Sequence, residues 1–423
     1  MTYEDAIGYL EGTLHFGSKP GLERVRRLLE LLGNPQDGLR FIHVAGTNGK
    51  GSTATAIADV LACSGVKTGL YLSPHVCDFG ERIQINGSMI PRETLAEGME
   101  AVKPVVEAAA REGLQATEFE IVTALALRWF RRQNCGAVVL EVGLGGRFDA
   151  TNVISRPLVS VITSISYDHT AILGNTLSQI AFEKCGIIKE GGVTVSSPQN
   201  EEAMRVIRRI CAERSNTLAV PDIAGARVLS EGLDGTKIIY EGEELFIPLA
   251  GRHQIGNFLT AYEALKALRG QGFVFDSGAV RRGMAAVRIP ARLEVLHREP
   301  LVLLDGAHNP AGASALAGVV RRYLHEPPVL VLGILADKDY ETVIGTLAPL
   351  AKAVVAVRPD SPRALDPQKT AETASRYCPC VFPCEDHAQA LEKALETGAP
   401  VLICGSLYLA GSMRRAALRR FGD

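Results

Sequence analysis

The segment Ala45-Gly46-Thr47-Asn48-Gly49-Lys50-Gly51-Ser52 decides the fold. Before it, Arg40 to Ala45 reads as a strand; after it, Ser52 to Ala62 reads as a helix stopped by Gly65. A glycine-rich turn between strand and helix lets backbone N–H groups face an anion, and the helix start adds positive potential. Lys50 can then reach β and γ phosphates, and the Ser52 hydroxyl can ligate Mg²⁺. The strict phosphate-loop spacing is not met. Position 44 is Val where the outer glycine would stand, and Gly51 separates the lysine from the serine. The plain alternative is a glycine-rich turn with an exposed lysine.

Outward from this loop, short apolar runs alternate with helical patterns. Lys67 to Leu72, Ala137 to Val142 and Leu158 to Ile165 read as strands, and Gln115 to Gln133 has helical spacing. Ala137 to Val142 is nearly all apolar, as in a parallel sheet covered on both faces. The order implies right-handed crossovers and an open, mostly parallel sheet. Residues 225–250 differ: short alternating runs with Gly232, Gly235 and Gly242 predict a small antiparallel appendage. A second α/β series follows Pro290, with strands at Leu301 to Leu304, Val329 to Gly333, Ala353 to Val357 and Val401 to Cys404. The expected division is an N-terminal domain over 1–290 and a smaller Rossmann-like domain over 291–423, hinged at Arg288 to Arg292.

The chain has 423 residues, room for two or three domains, with 47% hydrophobic and 22% charged residues, a globular composition. Lys plus Arg number 45 and Asp plus Glu 47. A charge of −2 gives no global field for a nucleic-acid backbone, so small-molecule partners are expected rather than DNA or RNA. The start MTYEDAIGYLEG lacks the features of a signal peptide, and no apolar run reaches spanning length. The expectation is a cytoplasmic chain off the membrane, with nine reduced cysteines. Cys378, Cys380, Cys384 and His387 lie close together but lack the paired spacing of common zinc sites.

Other polar residues sit at strand ends, where ligands collect in parallel sheets. Glu141 is placed to hold Mg²⁺ beside phosphates; the alternative is a charge turned into solvent. Ser73, in Ser73-Pro74-His75, could add an oxygen ligand. His169 follows Asp168 and could coordinate a metal, or cap and pack. Lys184 closes a helix. An ammonium cannot ligate a metal, so it is either a surface or phosphate-pairing lysine, or chemically modified. Asp305 could accept from a ribose hydroxyl, with His308 and Asn309 beside it; turn residues are the alternative.

Together these segments resemble the folylpolyglutamate synthase / dihydrofolate synthase family of the wider Mur ligase superfamily. The resemblance runs through the phosphate loop, Ser73-Pro74-His75, Glu81-Arg82-Ile83, Thr117 to Glu120 and Leu140 to Asn152. It continues through Asp168-His169, Glu183 to Gly186, Gly251 to Gln254, Leu304 to Pro310, Asp337-Lys338-Asp339 and Gly405 to Tyr408. It implies ATP-dependent joining of L-glutamate to a folate or dihydropteroate through an acyl phosphate. The implied cofactors are ATP, Mg²⁺ and K⁺, with Lys184 carbamylated. The implied metal ligands are Ser52, Ser73, Glu141 and His169, and catalytic roles fall to Lys50, Lys184 and His169. Gly46 to Ser52 would hold the nucleotide, with Asn257, Arg292, Asp305 and His308 reaching it from across the hinge. Phe119, Arg82 and Asp149 would meet the acid substrate, although Phe119 is equally readable as helix core. A monomer is implied, since the family's site lies within one chain. Another Mur-type amino-acid ligase, or an ATP-binding switch without ligation, would use part of the same equipment. The hinge departs from the family's usual Pro-Gly-Arg: it reads Pro290-Ala291-Arg292.

Overall fold

Strands that are apolar on both faces need cover on both faces. In the computed structural model, which describes residues 1–13 and 21–422, Phe41–Ala45 (β1) and Ala137–Glu141 (β5) are wholly buried and lie parallel, side by side. Thr68–Tyr71 (β2), Ile83–Ile85 (β3) and Ser88–Met89 (β4) extend the sheet beyond β5. Val159–Ile162 (β6), Val193–Ser196 (β7) and Thr217–Ala219 (β8) extend it beyond β1. The order is β4-β3-β2-β5-β1-β6-β7-β8, with only the β2–β3 and β3–β4 pairings antiparallel. The chain order reverses around β1. That opens a crevice at the carboxyl ends of β1, β5 and β6.

The helix Lys50–Cys63 carries the phosphate loop into the core. Its small residues Ala54, Ala56 and Ala58 are buried. They let the helix fit between the sheet and the helices Arg252–Arg269 and Ser277–Ala286. The closest approach is at Gly283, where a Cβ would lie 2.4 Å from Val60 Cα.

The appendage expected over 225–250 is a three-stranded antiparallel sheet of Arg227–Gly232 (β9), Gly235–Tyr240 (β10) and Glu243–Ile247 (β11). It touches both halves of the chain. Glu243 pairs with Arg281 at 3.4 Å. Glu231 accepts from Arg252 Nε at 3.2 Å, from Arg322 Nε at 2.9 Å and from Tyr323 Oη at 3.1 Å.

The second α/β series forms a six-stranded sheet. Its strands are Glu294–Arg298 (β12), Leu301–Leu304 (β13), Val329–Leu332 (β14), Ala353–Val357 (β15), Val381–Cys384 (β16) and Val401–Cys404 (β17). The order is β12-β13-β17-β14-β15-β16, with β12 antiparallel. The four strands expected from sequence form its middle. The unexpected pair, β12 and β16, are its edges. Both are half-exposed; β12 is largely polar, and β16 contains Pro383, which an edge tolerates.

Ala291 and Leu293 adopt left-handed φ values of 55° and 48°. A side chain there costs about 1–3 kcal/mol per residue. Hydrogen bonds hold the turn: Ala291 N–H to Glu294 Oε2 (3.0 Å), Leu293 N–H to Asp305 Oδ2 (2.9 Å) and Gly306 N–H to the Ala291 carbonyl (2.9 Å). The Ala at 291 therefore occupies a conformation that glycine would adopt freely.

Gly283→Ala is expected to lower the thermal unfolding midpoint. Overpacking against Val60 costs about 1–3 kcal/mol, against a propensity gain of about 1 kcal/mol for alanine in a helix. An unchanged or raised midpoint would show that the two helices separate freely.

Candidate active site

Backbone geometry builds the loop. Gly49 caps the helix with φ 84°, and its missing side chain makes room for Asn257, whose Oδ1 would lie 2.1 Å from a Cβ. At Gly46 a Cβ would lie 1.8 Å from Thr163 Oγ1. The loop is pinned to the segment after β6. Thr47 donates its N–H to the Ser164 carbonyl (2.7 Å) and its hydroxyl to the Ser166 carbonyl (3.1 Å), while Ser164 Oγ donates to the Asn48 carbonyl (3.1 Å).

Lys50 Nζ donates to the Thr47 carbonyl at 3.2 Å and lies 4.0 Å from Glu141 Oε1. Glu141 does not turn into solvent: it is 5% exposed at the end of β5. Its other oxygen accepts the Ser73 N–H at 3.0 Å. Burial pushes its carboxyl up, and Lys50, the Ser73 N–H and the charge of Arg292 offset that rise only in part. A Cβ on Gly51 would stand 3.7 Å from the same carboxylate, and Ser52 is buried one residue further on. One buried carboxylate beside hydroxyls and a phosphate loop is the donor set Mg²⁺ uses with a nucleotide. The residues fit that ion.

Lys184 is not on the surface. It is 4% exposed and donates from Nζ to the Gly46 carbonyl at 2.7 Å. Burial, then the charge of Lys50, brings its ammonium down to about 7. A large neutral fraction near neutrality is what reaction with CO₂ requires.

The two halves meet beside the loop. Asn309 Nδ2 donates to Asn48 Oδ1 and to Asp168 Oδ2, each at 3.0 Å. Lys338 Nζ donates to Asp168 Oδ1 at 2.6 Å and lies 3.2 Å from His169 Nε2. His308 Nε2 is 3.7 Å from Asp168 Oδ2. Burial alone would raise the Asp168 carboxyl, but His308 and Lys338 hold it well below the usual carboxylate range. Burial and then Lys338 lower His169 to about 4, leaving a neutral imidazole.

Three of the expected site residues carry contacts of their own within the fold. Asp149 is buried, with Oδ1 accepting from the Thr151 N–H (2.9 Å) and hydroxyl (2.6 Å) and Oδ2 from the Leu144 N–H (2.9 Å). It shapes the glycine-rich turn after β5. Asp305 spends Oδ2 on the Leu293 N–H and Oδ1 on the Ala307 N–H (2.8 Å), so it holds the hinge. Asn257 lies in the N-terminal half, against Gly49. Arg292 comes from beyond Pro290, and its charge reaches Glu141.

Phe119 is half-buried. Its ring covers Gly143, where a Cβ would lie 2.7 Å from Cζ, and sits 5.9 Å from the Tyr71 ring. Arg82 is buried, paired with Glu118, with its guanidinium 5.1 Å from the Phe79 ring and 5.8 Å from Phe119. Its Nε has no partner among the described residues. Cys378 Sγ faces the Ala351 and Cys380 carbonyls, while His387 Nε2 meets the Arg358 carbonyl. Sequence reasoning missed the duties of Lys338 and Glu118. Their segments stood out, but their partners lie 170 and 36 residues away.

Comparison with known proteins gives this arrangement its context. Residues 44–265 match the Mur ligase middle domain and residues 291–407 the Mur ligase glutamate ligase domain. The chain belongs to the Mur ligase family, in its folylpolyglutamate/dihydrofolate synthase branch. This ligase is 36% identical over 431 residues to folylpolyglutamate synthase of Lacticaseibacillus casei, covering 99% of both chains. It is 37% identical over 429 residues to dihydrofolate synthase/folylpolyglutamate synthase of Bacillus subtilis, covering 98% of each. A 36% identical relative from Haloferax volcanii, described as a probable bifunctional folylpolyglutamate synthase/dihydropteroate synthase, is longer; this ligase spans 50% of it. The structure of Mycobacterium tuberculosis folylpolyglutamate synthase complexed with ADP and AMPPCP superposes with TM-score 0.90 at 32% identity, covering 100% of this ligase and 99% of that chain. It is an ATP-dependent ligase with an α/β architecture shared with those structures. Among the described residues, no helix is long and apolar enough to cross a membrane.

Gly49→Ala is expected to weaken ADP binding at least about tenfold, because the added methyl meets Asn257 and the left-handed φ disfavours it. Calorimetric titration measures this. Unchanged affinity would show that the nucleotide does not lie on this loop.

Proposed function

We propose that this ligase joins L-glutamate to the carboxyl group of a folate or a dihydropteroate. The observation carrying the substrate class is likeness over nearly the whole chain to folylpolyglutamate synthases, including an FPGS–AMPPCP–folate complex matched at TM-score 0.85 and 33% identity. The acid's carboxylate attacks the γ phosphorus of ATP, giving an acyl phosphate and ADP. The glutamate amine then attacks the acyl carbon, expelling phosphate and losing one proton.

Each part of the site has a task in this scheme. The Gly46–Ser52 loop cradles the phosphates, and Lys50 offsets their charge. Glu141, Ser52, Ser73 and His169 would hold Mg²⁺, whose charge would polarise the transferred phosphoryl. The neutral imidazole of His169, with Nε2 3.2 Å from Lys338 Nζ, would be available as a ligand to that ion. Arg292 and His308 approach the nucleotide from beyond the hinge. Phe119 and Arg82 receive the acid's ring system. The division at 290/291 separates the loop-bearing domain from the glutamate-side domain, and their closure excludes water from the acyl phosphate. Everything lies within one chain, which suits a monomer. The nine free cysteines and the use of ATP suit the cytoplasm.

Carbamylation of Lys184 fits its environment. The neutral amine adds to CO₂, forming an N–C bond and releasing one proton. The product is an anionic carbamate that carries oxygens toward the charges around Lys50.

Purified protein with ATP and Mg²⁺ should release ADP only when an acid and glutamate are both present. Release with both dihydropteroate and a reduced folate would mean both steps; release with one alone would identify the step. ADP release independent of acid and amine would contradict ligation. Glu141→Gln should cost at least about 100-fold in kcat, as expected for a group acting on transition-state charge.

The neutral fraction of Lys184 grows as pH rises through about 7. At fixed dissolved CO₂, labelling by ¹³CO₂ should therefore increase over that range, read as a carbamate carbon resonance lost in Lys184→Arg. Absence of a resonance at every pH would refute the modification.

A further inference from the structure

Glu81 belongs to the Glu81-Arg82-Ile83 segment, and no chemistry has yet been attached to it. Its carboxylate accepts three successive backbone N–H groups: Val76 on Oε2 at 2.7 Å, and Cys77 and Asp78 on Oε1 at 2.9 and 3.0 Å. Asp78 completes the knot by accepting the Gly80 N–H at 2.8 Å. The loop closes where the Leu72 N–H meets the Arg82 carbonyl at 3.0 Å.

The tied turn stands between two places that matter. On one side, three residues earlier, the Ser73 N–H holds Glu141. On the other, Val76 packs its side chain against the apolar cluster of the C-terminal sheet. The Val76 carbonyl meets the helix Leu407–Phe421 at Gly411, where a Cβ would lie 2.1 Å from the oxygen. Gly411 is buried and in mid-helix, where its lack of a side chain has no turn to serve. It admits the loop.

We propose that Glu81 is a positioning residue. Its carboxylate fixes the shape of the Val76–Asp78 turn, and so fixes where Ser73 and Glu141 stand relative to the C-terminal half. The catalytic part of this statement rests on the reading of Ser73 and Glu141 given above; the structural part does not. A carboxylate suits the task because both of its oxygens accept. A glutamine of the same shape offers one accepting oxygen and turns an NH₂ toward N–H donors, so at least one of the three bonds is lost.

The test uses the full chain and two substitutions. In Glu81→Gln, amide hydrogen exchange over Val76–Asp78 should accelerate about tenfold or more, as expected on losing a local hydrogen-bond acceptor. Ligation should fall about tenfold in kcat per nucleotide-binding site, with KM for ATP within about twofold, because the Lys50 loop is untouched. Gly411→Ala places a methyl group against the Val76 carbonyl in a helix that alanine otherwise favours. It should lower kcat similarly while amides in the core strands β1 and β5 stay protected. A lesion of folding alone would reduce the number of nucleotide-binding sites and leave kcat per site unchanged. Unchanged exchange over Val76–Asp78 in Glu81→Gln, or full turnover per site in Gly411→Ala, overturns the proposal. Should Glu81→Gln fail to fold, Gly411→Ala decides. Should the unaltered chain ligate neither acid, the proposed function falls, and the exchange measurement still judges Glu81.

Discussion

A carboxylate held out of water at the end of β5 is the constraint on which the rest depends. Burying Glu141 is unfavourable unless a cation or N–H donors face it. The fold supplies those partners from three directions: Lys50 from the phosphate loop, the Ser73 N–H from the loop after β2, and the charge of Arg292 from beyond the hinge. Each belongs to a different part of the chain. Parallel strands explain the convergence, since β1, β2 and β5 all open toward the same edge of the sheet. The buried charge is therefore a reason for the halves to stay together and a place prepared for a divalent ion.

A second set of contacts decides how the halves meet. Asp168 gathers Lys338, Asn309 and His308, and Asn309 continues to Asn48. These are polar contacts beside the nucleotide loop, exchangeable for bonds to phosphate or metal. On the far side, Glu231 of the appendage pairs with Arg252 and Arg322, away from the loop. Between them runs the turn at Ala291 and Leu293, held in left-handed backbone by Glu294 and Asp305. A strained, hydrogen-bonded turn is well suited to fixing one domain orientation while permitting another.

Much of this was legible in the chain. The phosphate loop, the central strands and the appendage were readable because periodicity and glycine placement are local signals. The strands that escaped notice are β3, β4, β7 and β8 of the first sheet, each only two to four residues long, and β12 and β16, the exposed edges of the second. Lys50, Glu141 and Lys184 could be selected by position at strand and helix ends. The loop contacts of Asp149 and Asp305 could not. A carboxylate that caps its own loop has no sequence signature of that task, and it is the N–H groups of Leu144, Thr151, Leu293 and Ala307 that reveal it. The contact of Asn257 with Gly49 is hidden for a related reason: it joins residues far apart in the chain.

The central claim is that the site assembled around Glu141 transfers a phosphoryl group to a carboxylate before an amide forms. Oxygen tracing tests it most directly. With a folate or dihydropteroate whose reacting carboxyl group carries ¹⁸O, each amide formed should leave a single ¹⁸O atom in the released inorganic phosphate. Unlabelled phosphate accompanying the amide product would mean that no acyl phosphate lies on the path, and would contradict the account.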